Sequence, residues 1–400
     1  MYRAAGGPLG AAALVLLLSC FGGTTLQPVQ TAAFRMEPAN RGPEPYSAWF
    51  ADTDGRVLYF GLSPFWLLWW RSGGDALADL EVPGDHLIGR FDLQRELFLP
   101  PLRVCATGPR CRGSVWDVLV HSNGRIYFTT YFEEIGSVEP DGSDLHIFEG
   151  IGWGFNELYE GPDGHLFVTR YSDDPLDATK QRYGALVELT SEGRLLREVR
   201  FEKRGDRFTA PKSVAVDPIS GEIWINSDIF PSAGRIRYER IRLAPDGAVL
   251  LREPAPPELH FVTFDPQGRG YFAESFEGMF RLRITSPDHE LLEIPLGPRE
   301  GVDFVQDIHV GPSGVAALAF WSGRVTLIRP VPDGYEQLDL RLTPPRGCPS
   351  LRQHPLLYSA FVFRDRVYAT LHCGGTVLRA TLPEGRSRWR FWPASPSVSD

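Results

Sequence analysis

The chain has 400 residues and a formal net charge of −9, and 43% of its residues are hydrophobic. A chain of this length can bury a large core, but its 41 glycines and 34 prolines interrupt it too often for long helices. The acidic balance lacks the basic footprint of nucleic-acid-binding proteins, so we expect neither DNA nor RNA as a partner.

Residues 1–19 have the composition of a signal peptide. Arg3 precedes an apolar run from Leu9 to Leu18, which is too short to span a bilayer but has the length of a signal-peptide core. The run ends in LLSC, which resembles the lipobox of bacterial lipoproteins, and this resemblance implies that Cys20 is lipidated. Cleavage near Cys20 without a lipid is the alternative. We therefore predict an exported protein, either an envelope lipoprotein or a secreted one, with a flexible tether over residues 20–44 and membrane contact through the lipid only.

Seven times along the chain, two short alternating apolar runs are joined by a turn. The first phrase, SAWFADTDGRVLYFG, recurs as SVWDVLVHSNGRIYFTTYF, FNELYEGPDGHLFVTRY, PKSVAVDPISGEIWINSD, LHFVTFDPQGRGYFAES, VQDIHVGPSGVAALAFW and, in degraded form, LLYSAFVFRDRVYATLH. A second pair of runs, such as GALVELTSEGRLLREVRF, follows each of them. Asn-Gly and Asp-Gly turns between alternating runs are typical of β-hairpins. Each unit is therefore predicted to form a four-stranded antiparallel sheet.

The spacing of these units predicts a β-propeller. The interval from Gly124 to Gly164 is 40 residues and that from Gly164 to Gly221 is 57, and four-stranded units at such periods are the signature of propeller blades. One sheet cannot bury both faces alone, so neighbouring sheets must stack and the ring must close. We predict an all-β fold with one β-propeller over residues 45–393, followed by a disordered tail over 394–400. Seven phrases predict seven four-stranded blades, or six if the first phrase is not a full blade.

Two phrases carry a resemblance to known propellers. KSVAVDPISGEIWI, residues 212–225, resembles the repeats of NHL propellers and of their relatives, the virginiamycin B lyase and SMP-30/gluconolactonase propellers. FNELYEGPDGHLFVTR, residues 155–170, is similar to the last of these, in which an Asn lies at the mouth of the central channel. The resemblance implies a propeller over residues 45–393, but the group contains both enzymes and pure binding modules, so the fold does not decide the function.

The innermost strand of each blade lines the axis, so the residues seven and eight before each turn glycine should gather at one end of the channel. Side-chain oxygens from several blades could together supply the six or more ligands that Ca²⁺ or Mg²⁺ requires. The candidate metal ligands are Asp117, Asn156, Glu157, Asp228, Glu274 and Asp307. In this interpretation the metal polarises a lactone or ester carbonyl or stabilises an enolate, and His260 or a carboxylate is the general base. The alternative is that these acidic residues make turn hydrogen bonds and charge pairs with Arg170 and Lys212.

An insertion in the first unit, LSPFWLLWWRSGGDALADLEVPGD, is the least repeat-like segment of the chain. Its tryptophans either form a buried plug or an exposed patch that grips a partner, a sugar or the membrane interface. The predicted ligand or partner surface comprises Trp66, Trp69, Trp70, Arg170, Lys212 and Trp321.

Four cysteines remain when Cys20 is set aside, an even number that is typical of disulfides in an oxidising compartment. CATGPRC closes a small loop, and the other two cysteines flank one hairpin unit near the C-terminus. We predict the pairs Cys105–Cys111 and Cys348–Cys373. A zinc site is the alternative, although no CxxC motif accompanies these residues.

No nucleophile elbow, HExxH motif, P-loop or Rossmann fingerprint occurs in the sequence. The leading interpretation is therefore an exported, lipid-anchored propeller that binds a ligand or an envelope protein through its top face, without chemistry of its own. One alternative is a metal-dependent lactonase, esterase or lyase with Ca²⁺ or Mg²⁺ in the channel. Another is a carbohydrate-binding module that uses the Trp-rich insertion.

Overall fold

A computed structural model describes fourteen stretches of the chain between residues 47 and 393. They are residues 47–63, 86–104, 115–130, 135–152, 154–172, 182–202, 207–231, 236–255, 258–285, 291–299, 303–341, 357–371 and 376–382, together with 389–393. The predicted signal peptide, tether and tail lie outside the described residues, as do residues 64–85 of the Trp-rich insertion. The same holds for all five cysteines, which are Cys20, Cys105, Cys111, Cys348 and Cys373.

The described residues form twenty-eight strands and no helix. The first fourteen strands are β1 (Ser47–Thr53), β2 (Val57–Ser63), β3 (Leu87–Asp92), β4 (Leu97–Arg103), β5 (Val115–Val120), β6 (Ile126–Thr130), β7 (Ile135–Val138), β8 (His146–Ile147), β9 (Phe155–Glu160), β10 (Leu166–Arg170), β11 (Tyr183–Leu189), β12 (Leu195–Glu202), β13 (Arg207–Val216) and β14 (Ile223–Pro231). The others are β15 (Arg237–Leu243), β16 (Val249–Ala255), β17 (Glu258–Phe264), β18 (Gly270–Phe276), β19 (Met279–Thr285), β20 (Leu291–Pro298), β21 (Val305–Val310), β22 (Ala316–Phe320), β23 (Arg324–Val331), β24 (Gly334–Arg341), β25 (Leu357–Phe363), β26 (Arg366–Leu371), β27 (Thr376–Thr381) and β28 (Arg390–Pro393).

These strands form seven antiparallel sheets, which we number as blades 1 to 7 in chain order. Within a blade, consecutive strands pair in order, so each blade is a meander that begins with its first strand. The first strands β1, β5, β9, β13, β17, β21 and β25 contact one another in sequence, and β25 returns to β1. The contacts close a ring, so the predicted seven-bladed β-propeller is confirmed and the six-bladed alternative is wrong.

The last strand departs from the simple meander. β28 pairs with β24 of blade 6, which therefore has five strands, while blade 7 has three strands among the described residues. Two contacts hold β28 in place: the Trp392 indole N–H donates to Gln337 Oε1 (2.9 Å), and the Arg329 guanidinium lies 3.9 Å from the Trp389 ring. The twenty-eight strands therefore average four for each of the seven blades, with β28 moved from blade 7 to blade 6.

The turn glycines have the conformation that the repeat requires. In six blades the turn between the first two strands contains a glycine with φ between 71° and 88°, in the left-handed region that other residues rarely adopt. These residues are Gly55, Gly124, Gly164, Gly221, Gly268 and Gly314. In blade 7 the positive φ (57°) falls on Arg364 instead, which explains why the seventh phrase looks degraded.

The second strand of a blade is buried on both faces in blades 2, 3 and 6. Every residue of β6 (IYFTT), β10 (LFVTR) and β22 (AALAF) is buried, because both faces of the sheet meet a neighbouring blade. The layer between blades 7 and 1 contains Phe60, Phe91, Phe361 and Tyr368. The hydrophobic core is therefore a series of inter-blade layers rather than one central mass.

Side chains, rather than a shared strand, hold blade 1 against blade 7. The Glu96 carboxylate of blade 1 pairs with Arg366 and Arg379 of blade 7 and accepts a hydrogen bond from Tyr368 Oη (2.9 Å). Tyr368 Oη also lies 3.3 Å from Leu93 O. The Glu96 side chain is 17% exposed, whereas that of Arg366 is 37% exposed and also lies 3.8 Å from Asp365. Removing the Glu96 charge therefore takes a partner from both arginines at a partly buried interface.

We expect Glu96→Gln to lower the free energy of unfolding by about 1–2 kcal/mol, because a partly buried network loses the carboxylate that joins Arg366 and Arg379. Glu277 provides a matched control, since it is also a turn glutamate with positive φ (50°, against 55° for Glu96) but is exposed. Glu277→Gln should change stability by no more than about 0.5 kcal/mol. Urea unfolding measures both, and equal effects would contradict a role of Glu96 in ring closure.

Candidate functional site

A β-bulge interrupts the first strand of every blade at the same place. Each bulge contains two consecutive residues, and we call the seven pairs together the bulge ring. The pairs are Trp49–Phe50, Trp116–Asp117, Asn156–Glu157, Lys212–Ser213, His260–Phe261, Gln306–Asp307 and Tyr358–Ser359. Bulges often aim side chains at a functional site. The repeat alignment selects five of these pairs, but it misses those of blades 1 and 7, whose bulges could have been found by aligning SAWF and LLYS with SVWD.

The second residue of most bulge pairs joins its blade to the next one. In four cases its side-chain oxygen accepts a hydrogen bond from the backbone N–H just after the bulge of the neighbouring blade. These bonds are Leu158 N to Asp117 Oδ2 (2.7 Å), Val214 N to Glu157 Oε2 (2.9 Å), Val262 N to Ser213 Oγ (3.1 Å) and Ala51 N to Ser359 Oγ (3.2 Å). Two of the predicted metal ligands therefore have a structural task between blades.

Burial and mutual repulsion disfavour the charged forms of the carboxylates near the axis. Burial raises the pKa of Asp117 to about 8 and that of Asp307 to about 6, and the charge of Asp307 adds to the shift of Asp117. Burial, followed by the charges of Asp117 and Asp307, raises the pKa of Glu157 well above its usual range. Asp52, which sequence reasoning missed, belongs to the same group: burial raises its pKa to about 7, and it accepts a hydrogen bond from Val120 N (2.8 Å).

The other predicted metal ligands are not all in this group. Glu274 is fully buried, where it pairs with Arg240, Arg281 (2.9 Å) and Arg283 (3.1 Å) between blades 4 and 5. Asn156 lies in the bulge ring, and its Nδ2 donates to the carbonyl of the next blade's bulge at 3.0 Å. Four of the six predicted ligands thus belong to the bulge ring, whereas Glu274 is occupied by three arginines.

Among the described residues, one group of three ligand atoms lies within 4.8 Å of one another, and none of its members was predicted from the sequence. It comprises Asp163, His165 and Glu188 in blade 3. His165 Nδ1 lies 3.0 Å from Asp163 Oδ2 and 2.9 Å from Glu188 Oε1, and Arg197 also pairs with Glu188. Both carboxylates of this group therefore already have partners within blade 3.

Aromatic rings meet across the axis at the bulge ring. Phe50 of blade 1 and Phe261 of blade 5 are not in neighbouring blades, yet their ring centroids are 5.8 Å apart. Phe50 also contacts Trp116 (5.9 Å) and Tyr358 (5.2 Å), and Trp49 lies 4.2 Å from Trp116. We call these five residues the aromatic plug, because they bring side chains of blades 1, 2, 5 and 7 into contact at the bulge ring.

A second arrangement, which we call the Lys212 corner, comprises Lys212, Asp228, His260, Phe304 and Trp321 of blades 4 to 6. The His260 ring is parallel to that of Phe304 (centroids 6.3 Å, interplanar angle 4°), and Trp321 lies 4.0 Å from Phe304. Lys212 Nζ is 5.7 Å from the Phe304 centroid. His260 is fully buried and the other four residues are partly exposed.

Several buried polar atoms of the Lys212 corner make no hydrogen bond to another described residue. Both ring nitrogens of His260 and Oδ1 of Asp228 are buried without a hydrogen-bond partner among the described residues. Burial, followed by the charges of Lys212 and Arg299, lowers the pKa of His260 well below its usual range, so the ring is neutral near pH 7. Burial raises the pKa of Asp228, and the charge of Lys212 opposes this.

The predicted partner residues are dispersed. Lys212 and Trp321 lie in the Lys212 corner, while Arg170 is buried in blade 3, where it pairs with Glu198 and donates to Ile151 O (3.2 Å). Trp66, Trp69 and Trp70 lie outside the described residues. None of the described residues belongs to a helix long and apolar enough to cross a membrane.

No protein-family model matches the chain, and no curated protein matches it. Solved structures do resemble it in fold. A catalytically inactive variant of virginiamycin B lyase from Staphylococcus aureus, with quinupristin, matches with a TM-score of 0.57 at 12% identity, covering 88% of this chain and 100% of that one. YCF48 bound to D1 peptide matches with a TM-score of 0.50 at 13% identity, covering 89% and 97%.

An extracellular domain is also among the similar structures. The extracellular domain of the hybrid two component system BT4673 from B. thetaiotaomicron matches with a TM-score of 0.53 at 11% identity, covering 88% of this chain and 39% of that one. At these identities the likenesses support the propeller fold, which an enzyme, a peptide-binding protein and an extracellular domain share.

Proposed function

We propose that this chain is an exported β-propeller, tethered to the cell envelope through a lipid on Cys20, that binds a ligand or an envelope protein with its top face. The top face is the end of the propeller that carries the bulge ring. The observation that carries the proposal is the contrast between two sets of polar groups. Asp117 and Glu157 are bonded to the backbone of the next blade, whereas the Lys212 corner combines unpartnered polar atoms with partly exposed aromatic rings.

The same contrast favours binding over catalysis. A general base must reach the proton that it removes, and the His260 ring is fully buried behind Phe304. The aromatic plug places apolar rings where a channel metal and its substrate would meet. Similar folds that bind a peptide or lie outside the cell are consistent with the proposal at the level of the fold.

Crosslinking in cells tests the top face directly. A photo-crosslinking amino acid in place of Trp321 should capture a ligand-bearing or protein partner in the full-length chain. The matched control is Ile219, which is 67% exposed in the turn between β13 and β14, at the opposite end of the blade from the bulge. Equal capture at both positions, or capture at Ile219 alone, would contradict a top-face partner.

The proposed lipid anchor on Cys20 can be tested separately. Cys20→Ser should move the protein from the membrane fraction to the soluble fraction, because it removes the thiol that carries the lipid. Ser19→Ala keeps the small residue before Cys20 and should leave the protein in the membrane fraction. Fractionation with immunoblotting measures both, and a Cys20→Ser protein that stays on membranes would disprove the lipid anchor.

The metal-dependent alternative is favoured by one observation, the mutual electrostatic influence of Asp117, Glu157 and Asp307 around the axis. If they bound Ca²⁺ or Mg²⁺, the cation would raise the thermal midpoint and Glu157→Gln would abolish the increase. Our proposal instead expects the midpoint to change by less than about 1 °C with EDTA or with either cation. A larger increase that Glu157→Gln removes would favour the enzyme.

A further inference from the structure

The charged groups of the Lys212 corner leave a gap between them. Lys212 acts electrostatically on Asp228, yet these two described groups make no ion pair within 4.0 Å. Oδ1 of Asp228 has no hydrogen-bond partner among the described residues. Because Lys212 and Asp228 are both partly exposed, a ligand hydroxyl placed between the two side chains could accept a hydrogen bond from Lys212 and donate one to the Asp228 carboxylate without reaching its buried Oδ1.

The charge balance of the corner favours an uncharged ligand. The nearest further charges are Arg299 and Glu258, which pair with each other and act on His260 and Asp228 respectively. The corner therefore holds two positive and two negative groups. An anion would be repelled by the two carboxylates and a cation by Lys212 and Arg299, so neither gains net attraction.

The Trp321 ring gives the corner a partly exposed apolar face. Phe304 and Trp321 are both partly exposed, and their rings meet at 4.0 Å with an interplanar angle of 60°. The parallel ring of His260 supports Phe304 from the buried side. Aromatic faces next to hydrogen-bonding groups suit ligands that have an apolar face and polar edges.

We infer that the top-face ligand is an uncharged polyhydroxylated molecule, a saccharide, whose hydroxyls bridge Lys212 and Asp228 and whose C–H face packs on Trp321. This inference rests on the proposed function, since it names the ligand class of the same face. It differs from the carbohydrate alternative drawn from the sequence, because the residues that bind the sugar lie on blades 4 and 6 and not in the Trp-rich insertion.

Calorimetric titration of the mature chain provides the test. The probes are glucose, galactose, N-acetylglucosamine, cellotetraose and maltotetraose, with sodium acetate and tetramethylammonium chloride as charged probes. At least one saccharide should bind, and neither charged probe should. Binding of acetate or tetramethylammonium without any saccharide would overturn the inference, as would no binding at all.

Substitutions in the Lys212 corner test whether the saccharide binds there. Trp321→Ala should weaken saccharide binding about tenfold by removing the stacking surface, and Asp228→Asn and Lys212→Met should each weaken it about tenfold by removing a hydrogen bond to a charged group. The matched control is Trp392→Ala, on the outer strand β28 of the same blade, which should leave affinity unchanged. Thermal midpoints of all variants verify that they fold.

The outcomes separate the inference from the proposed function. Saccharide affinity that survives both Trp321→Ala and Asp228→Asn would overturn the inference, and so would affinity lost only when residues 64–85 are deleted. If crosslinking at Trp321 captures a partner but no saccharide binds, the inference fails and the proposed function stands. If neither experiment gives a signal, both fail.

Discussion

Phe261→Ala should lower the free energy of unfolding by about 3–4 kcal/mol, because it opens a cavity in a packed apolar contact. Phe261 is 5% exposed and packs in the layer between blades 5 and 6, and its ring also contacts Phe50 from blade 1. The loss should therefore loosen both a local interface and a contact across the axis. Urea unfolding followed by circular dichroism measures it.

A double-mutant cycle isolates the contact across the axis. Phe50→Ala combined with Phe261→Ala should cost about 0.5–1.5 kcal/mol less than the sum of the single changes, the usual coupling of an aromatic pair. Phe276→Ala is the matched control, since Phe276 is 41% exposed at the end of β18 in the same blade as Phe261. It should show no coupling with Phe50→Ala. Zero coupling between Phe50 and Phe261 would mean that the plug does not connect blades 1 and 5.

Stability should fall as the pH rises from about 6.5 to about 8, by about 1–3 kcal/mol, because one pKa unit corresponds to about 1.4 kcal/mol and the coupled groups do not ionise independently. The pKa values of Asp52, Asp117 and Asp307 are raised by burial to about 7, about 8 and about 6. A raised folded-state pKa stabilises the protein below the unfolded-state pKa, and this stabilisation is lost as the pH passes through the folded-state value.

One buried histidine next to this cluster opposes the trend in the lower part of the range. His309 Nε2 lies 3.8 Å from Asp52 Oδ1, and burial lowers the pKa of His309 to about 4. Because the unfolded chain protonates this ring below about pH 6.5, His309 adds stability as the pH rises to that value and has little effect above it. The charge of Glu160 raises the pKa of Asp52, in the same direction as burial. Above about pH 6.5 the network around the axis is therefore expected to lose stability as its carboxylates ionise.

Asp307→Asn tests the coupling between these carboxylates. The charge of Asp307 raises the pKa values of Asp52, Asp117 and Glu157, so its removal should stabilise the protein near pH 8 and change little near pH 5. Asp333→Asn, in the exposed turn between β23 and β24, should leave the slope unchanged. Unfolding free energies measured at several pH values decide it, and a wild-type stability that is flat or rises between about pH 6.5 and about pH 8 would refute the assignment.

The candidate site was predicted only in part. The repeat alignment brings Asp117, Glu157 and Asp307 together, because a fixed offset from the turn glycine corresponds to a fixed height in the blade. It misplaces Glu274, whose partner Arg240 comes from another blade and is invisible to an offset rule. It misses Asp52, which lies beyond the bulge but accepts a cross-blade hydrogen bond like the others. The number of residues before the turn glycine predicts where a residue lies along its strand. It does not predict which side chain of the neighbouring blade that residue contacts.

The sequence by itself determined the blades. Period-two apolar runs and a glycine or its substitute with positive φ specify a hairpin through local sterics, and repetition of this pattern predicts a closed ring. Only the tertiary structure decided how the ring is joined and what its centre contains. Ser359 accepts a hydrogen bond from Ala51 N, a residue 308 positions away, and β28 leaves its own repeat to pair with β24. Contacts between residues so distant in the chain depend on how the blades pack, and no local pattern encodes them.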